Sequence, residues 1–143
     1  MAKTIFSPAV RERVMLRAYH CCEYCKSQDK YSPNLFTIDH LVPRNMGGDD
    51  AESNLAYACF LCNRLKSNKL NAFDTLTETW VSLFNPRLNV WSDHFSWNED
   101  ATEILPITPI GRVTIATLKL NREKLIEYRK ALILFAVHPP SEY

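Results

Sequence analysis

Apolar and polar positions along the chain switch between helical and strand periods. Near the start, Ser7-Pro8 followed by Val10 and Val14 predicts a helix, with a capping hydroxyl and a proline at the first helical position. Leu35-Phe36-Thr37-Ile38 is a β-favouring run that leads directly into Asp39-His40. The stretch Asn45-Met46-Gly47-Gly48-Asp49-Asp50 breaks that pattern. Two of the chain's three glycines fall there, so the backbone is expected to need a positive φ. A second strand before Cys59 and a short helix from Asn63 to Lys66 complete the order strand, long turn, strand, helix.

The remaining apolar mass lies downstream of residue 70. Phe73, Leu76, Trp80, Leu83 and Phe84 are spaced like one helix face. His94 to Trp97 and Ile104 to Ile107 flank Asn98-Glu99-Asp100-Ala101, which predicts a hairpin. Thr108-Pro109 starts a helix. Asn121 is expected to cap a last one through about Ala136, with Leu125, Tyr128, Leu132 and Phe135 inward. Trp91, Phe95 and Trp97 could stack on unpaired bases, but a small domain needs such large groups in its core.

At 143 residues the chain is one domain's worth, and 46% hydrophobic with 23% charged residues reads as globular rather than disordered. The net charge of +1 leaves any basic surface to be local. The apolar run Ala131 to Val137 is too short to span a membrane, and the first eight residues hold no apolar core for a secretory leader. A cytoplasmic protein that makes no use of membranes is the expectation.

Five cysteines sharpen the picture. Cys22-x-x-Cys25 and Cys59-x-x-Cys62 are two knuckles whose spacing lets paired thiolates turn toward one ion, which suits tetrahedral Zn²⁺. A redox motif would need only one such pair. Cys21 is expected beside the site rather than in it, and His20 is the weaker alternative ligand. Residues 26–58 between the knuckles number 33, more than the ~15–20 of a compact zinc ribbon, so something folded must sit inside.

Taken in order, Asp39-His40, Pro43, Gly47-Gly48, Asn54-Leu55 and Cys59-x-x-Cys62-Asn63-x-x-Lys66, with Cys22-x-x-Cys25 upstream, resemble the HNH endonuclease family. The likeness covers roughly residues 20 to 69. Asn63 stands where many members have His, giving a His-Asn-Asn pattern. The resemblance implies a ββα-metal fold and hydrolysis of DNA phosphodiesters to 5′-phosphate and 3′-hydroxyl ends. It makes His40 the general base, has Asn54 hold the His40 loop, and has Asp39 and Asn63 bind a catalytic divalent ion.

The chemistry fits those residue types. A neutral imidazole can take a proton from water near neutral pH. Mg²⁺ or Mn²⁺ accepts hard oxygen donors such as a carboxylate and an amide, and Asn63 in place of His should favour Mg²⁺ over softer ions. Regular strand alternation would turn Asp39 and His40 to opposite faces, so the strand should twist, bulge or end there. Arg44, Arg64, Lys66 and Lys69 are expected to meet the phosphate backbone, with Lys66 sharing a helix face with Asn63.

The expected fold is therefore α+β. A zinc-stabilised HNH core over residues 1–72 carries a mainly helical C-terminal extension, residues 73–143, which contains a β-hairpin and packs on the core as one unit. The expected cofactors are a structural Zn²⁺ and a catalytic Mg²⁺ or Mn²⁺, and the expected partner is DNA. A homodimer, which double-strand cutting would favour, stays open. The rival reading is a zinc-stabilised nucleic-acid-binding module without activity.

Overall fold

In a computed structural model that describes residues 6–143, the chain opens on α1 (Pro8–Arg17). The leaderless reading of the first eight residues falls mostly on residues 1–5, which lie outside the described residues. The Ser7 hydroxyl accepts a hydrogen bond from the Val10 amide at 3.2 Å, and Pro8 occupies the first turn. Val14 on the inner face is completely buried. The Arg17 guanidinium caps the Leu55 carbonyl of the strand beneath.

After the first cysteine knuckle, β1 (Thr37–His40) and β2 (Leu55–Ala58) pair antiparallel, with Asp39 opposite Ala56 and His40 opposite Leu55. Helix α2 (Phe60–Lys66) follows at once, capped by the Cys59 sulfur, which accepts from the Cys62 amide at 3.4 Å. The loop between the strands is stitched shut. Its ends meet where the Leu41 amide donates to the Asn54 carbonyl at 2.9 Å. Gly47 adopts φ +89°, and a Cβ at Gly48 would collide with the Val42 carbonyl oxygen. The adjacent glycines thus serve different needs, one of conformation and one of space.

The segment expected as a helix over Phe73 to Phe84 is instead a hairpin, β3 (Asn71–Asp74) paired with β4 (Thr79–Ser82). Threonines at 75, 77 and 79 and Val81 favour strands. The Asp74 carboxylate accepts from both the amide and the hydroxyl of Thr77, a local turn that competes with helix formation. Phe73 and Trp80, seven residues apart, would share a helix face but are cross-strand partners with ring centroids 5.7 Å apart. Both rings are exposed, Trp80 at 73%, while Leu83 and Phe84 enter the core.

A short helix α3 (Trp91–His94) leads into the second hairpin, β5 (Phe95–Trp97) with β6 (Ile104–Pro106), as the pattern predicts. Trp91 and Phe95 are buried, and the Trp91 indole donates to the Tyr24 carbonyl at 3.0 Å. Helix α4 (Pro109–Leu118) is capped by the Thr108 hydroxyl. The last helix, α5 (Glu123–Leu134), differs from expectation at both ends. Asn121 does not cap it; its side chain bonds the Ile104 amide at 2.7 Å and carbonyl at 2.8 Å. Phe135 lies past the helix end and is 78% exposed.

The described residues therefore hold five α-helices and three two-stranded antiparallel sheets, so the chain past residue 70 carries two hairpins where one was expected. A continuous core runs from Val14, Tyr24 and Leu55 to Phe84, Phe95 and Leu118. Helix α4 is tied to the β3–β4 hairpin by a bidentate pair, Arg112 to Asp74 at 2.7 and 2.9 Å. The guanidinium and Thr77 hold the Asp74 carboxyl well below its ordinary value. Because the folded form binds the Asp74 proton less tightly than the unfolded chain, the pair's stabilisation is complete above about pH 4 and lost as pH falls below it. Arg112→Ala is expected to lower stability at neutral pH and to flatten the acid limb of the unfolding profile. An acid limb identical to wild type would show that the pair makes no net contribution.

Candidate metal centre and catalytic cleft

The two knuckles converge. The sulfurs of Cys22, Cys25, Cys59 and Cys62 all lie within 4.8 Å of one another, with Cys25 and Cys59 at 3.8 Å. A tetrahedron with Zn–S bonds of ~2.3 Å has edges of about 3.8 Å. The donor set and its size are consistent with a zinc site. Cys21 is outside the group, its thiol 3.4 Å from the Tyr19 carbonyl, and His20 faces Asp29 at 3.2 Å. Without a cation four crowded sulfurs cannot all ionise: burial pushes the Cys22 thiol up, neighbouring sulfurs push Cys62 up, and bonds from those thiols hold Cys25 low. Binding a metal there must release protons.

One further residue completes this centre. The Arg122 guanidinium reaches Cys62 at 3.9 Å and Cys59 at 3.8 Å. Four thiolates around a divalent ion carry a net charge of about −2, and a guanidinium against the sulfurs offsets part of it. Arg122 is 60 residues beyond Cys62, and no sequence signal links the two.

The cleft lies beyond the end of β1. The strand stays regular through His40, and Asp39 points inward, yet Asp39, His40 and Asn63 line one shallow cavity of ≈ 360 Å³ together with Pro43, Arg44 and Ser67. Asp39 is 4% exposed; its Oδ2 accepts from the Tyr24 hydroxyl at 2.7 Å and faces Lys66 Nζ at 3.1 Å. Burial pushes the Asp39 carboxyl up, opposed by Lys66 and Tyr24. The His40 Nε2 lies 2.8 Å from Asp50 Oδ1. An ionised carboxylate can only accept, so Nε2 carries a proton, and in the neutral ring Nδ1 is then the nitrogen with the lone pair. Asn54 clamps the loop: its Oδ1 accepts from the Val42 amide at 2.9 Å, and its Nδ2 donates to the carbonyls of Val42 and Asp49 at 3.0 and 2.8 Å.

Residues 22–69 match the HNH endonuclease family model. The matched segment, about a third of the chain, starts at the first cysteine of the cluster and includes Asp39, His40, Asn54 and Asn63. No curated protein and no solved structure matches the chain. No helix among the described residues is long and apolar enough to cross a membrane.

Within the matched segment, the four cations expected to meet phosphate do not share one environment. Arg44, Arg64 and Lys69 are exposed, with Arg44 Nε 3.9 Å from Asp50 Oδ1 and Lys69 bonded to the Leu65 carbonyl at 3.4 Å. Lys66 is only 3% exposed and turned inward, which corrects its expected place on the phosphate-facing surface. A buried carboxylate on the neighbouring strand draws the ammonium in. The contact is an ion pair without hydrogen-bond alignment, since Lys66 Nζ has no aligned acceptor. The other residue missed from sequence is Asp50, which looks like part of an ordinary acidic turn until the loop closes it onto His40.

Zinc analysis of the purified protein should give one ion per chain. Chelation, or replacement of Cys59 or Cys62, should unfold the matched segment, read as lost near-ultraviolet dichroism; a well-folded Cys59→Ala protein without zinc would refute the four-sulfur centre. Lys66→Met should strand the Asp39 carboxylate and cost about 3 kcal/mol in urea unfolding of the zinc-loaded protein. An unchanged midpoint would mean that the buried pair adds no net stability.

Proposed function

We propose that the protein is a metal-dependent endonuclease that hydrolyses phosphodiester bonds in DNA. The observation that carries this reading is the cleft that collects Asp39, His40 and Asn63 at the end of β1. His40 acts as general base through Nδ1, drawing a proton from the attacking water. Asp50 keeps the other ring nitrogen protonated and fixes the ring's orientation. Asn54 holds the loop that delivers Asp50. Mg²⁺ or Mn²⁺, held by Asp39 and Asn63, would supply compensation for charge on the scissile phosphate and leaving oxygen. Arg44, Arg64 and Lys69 contact flanking phosphates without reading sequence.

The sulfur cluster has a separate, structural task as a zinc site, in keeping with a reducing cytoplasm where thiols persist. Cutting both strands would call for a second copy of the chain or a second encounter.

A binding module without catalysis is favoured by one observation: Asp39 Oδ2 is already engaged by Tyr24 and Lys66. Supercoiled plasmid incubated with zinc-loaded protein separates the two readings. Nicking should require added Mg²⁺ or Mn²⁺, fall at least about a hundredfold in His40→Ala, and fall less in Asp50→Asn. Nicking that survives His40→Ala refutes the assigned base, and binding without nicking under either metal supports the module.

A further inference from the structure

A second cavity, ≈ 540 Å³, adjoins the cleft and shares His40, Arg44 and Asn63 with it. Its outer walls are largely hydrocarbon. Leu35 is 91% exposed and Phe60 53% exposed, and the Phe6 ring lies 5.6 Å from the His40 ring. The only charged side chains lining it among the described residues, apart from the titratable His40, are Arg11 and Arg44; no carboxylate does. Arg11 is tied lightly to the Phe36 carbonyl at 3.3 Å. Apolar groups this exposed, set beside a polar hydrolytic centre, mark a surface with an occupant.

The occupant follows from what arrives at His40. A phosphodiester seated in the cleft brings a nucleoside on each side. In an intact duplex those bases are covered by their stacked neighbours, and their faces cannot meet side-chain carbon. A nucleotide without a partner can swing its base out, and aromatic or aliphatic walls then replace the lost stacking. Arginines at the rim meet the phosphates on either side, and a wall free of carboxylates adds no repulsion. A free apolar ligand or a peptide would leave the two arginines and the shared catalytic wall without a role.

We propose that this cavity is a subsite for an unstacked nucleobase next to the scissile phosphate. The substrate class is then DNA carrying an unpaired nucleotide at the cut, as in a bulge, a flap or a single strand. This rests on the nuclease reading and narrows it.

The test compares two labelled probes, a short paired duplex and the same duplex with one bulged adenine, by anisotropy with full-length zinc-loaded protein and no added catalytic metal. The bulged probe is expected to bind about tenfold tighter. Phe60→Ala or Leu35→Ser should bring that ratio toward one, while affinity for the paired duplex and its salt dependence stay near wild type. Both positions are exposed, so retained zinc content and thermal midpoint serve as the folding control for each. Equal binding of the two probes, or a preference intact in both variants, overturns the subsite. In that event, metal-dependent nicking that disappears in His40→Ala would leave the nuclease reading standing. Failure to bind either probe overturns both.

Discussion

The convergence of four sulfurs is the constraint on which the rest of the molecule depends. Residues 26–58 leave the first knuckle and return to the second, so closing the cluster closes the loop that contains both strands of the central hairpin. Two four-residue strands bury too little to hold themselves together in water. Crosslinking their flanks removes much of the chain entropy that would otherwise pull them apart. The cap of α2 is built from the same atoms, since Cys59 begins that helix. Hairpin, helix and cleft therefore share one origin.

Within this frame, the catalytic candidates are held by contacts of different strength. Asp39 is rigid, fixed by a phenol and an ammonium in the interior. His40 is steered by a single carboxylate on a loop that Asn54 sews to its own ends. In the proposed mechanism Asp39 must keep its place while His40 exchanges a proton, and the division is of that kind. Burial explains why Lys66 sits where it does: an unpaired carboxylate at that depth would be far more costly than the lost solvation of a lysine.

How much of this was legible in the sequence depended on how local each signal was. The cysteine knuckles, the run into Asp39-His40, the Thr108-Pro109 start and the hairpin around Asn98 are short-range patterns, and they appear in the structure at the expected places. Spacing misled where two geometries share a period. Phe73 and Trp80 satisfy both a helical face and a cross-strand pair, and the Asp74–Thr77 turn together with the β-branched residues around it breaks the tie. Lys66 follows Asn63 by three residues, yet a carboxylate from another element decides where its ammonium goes. Asn121 has the chemistry of a cap but is recruited by the backbone of Ile104. The Arg122–sulfur contacts join residues 60 or more apart, and the Asp50–His40 contact, though it spans only ten residues, depends on how the intervening loop closes; neither left a mark in the sequence pattern. The roles assigned to Asp39, His40 and Asn63 rest on the family pattern and the shared cleft, and that of Asn54 on the family pattern and its bonds to Val42 and Asp49.

Arg122 has a wider implication. It stands at the threshold of α5 while its guanidinium lies over Cys59 and Cys62. A cation at that junction makes the seating of the terminal helix and the ionic state of the sulfurs two halves of a single equilibrium. By reciprocity, anything that lifts the tail away would weaken the hold on a metal bound by these sulfurs, and loss of such a metal would loosen the tail by the same free energy. The far end of the chain is thereby enlisted as a guardian of its beginning.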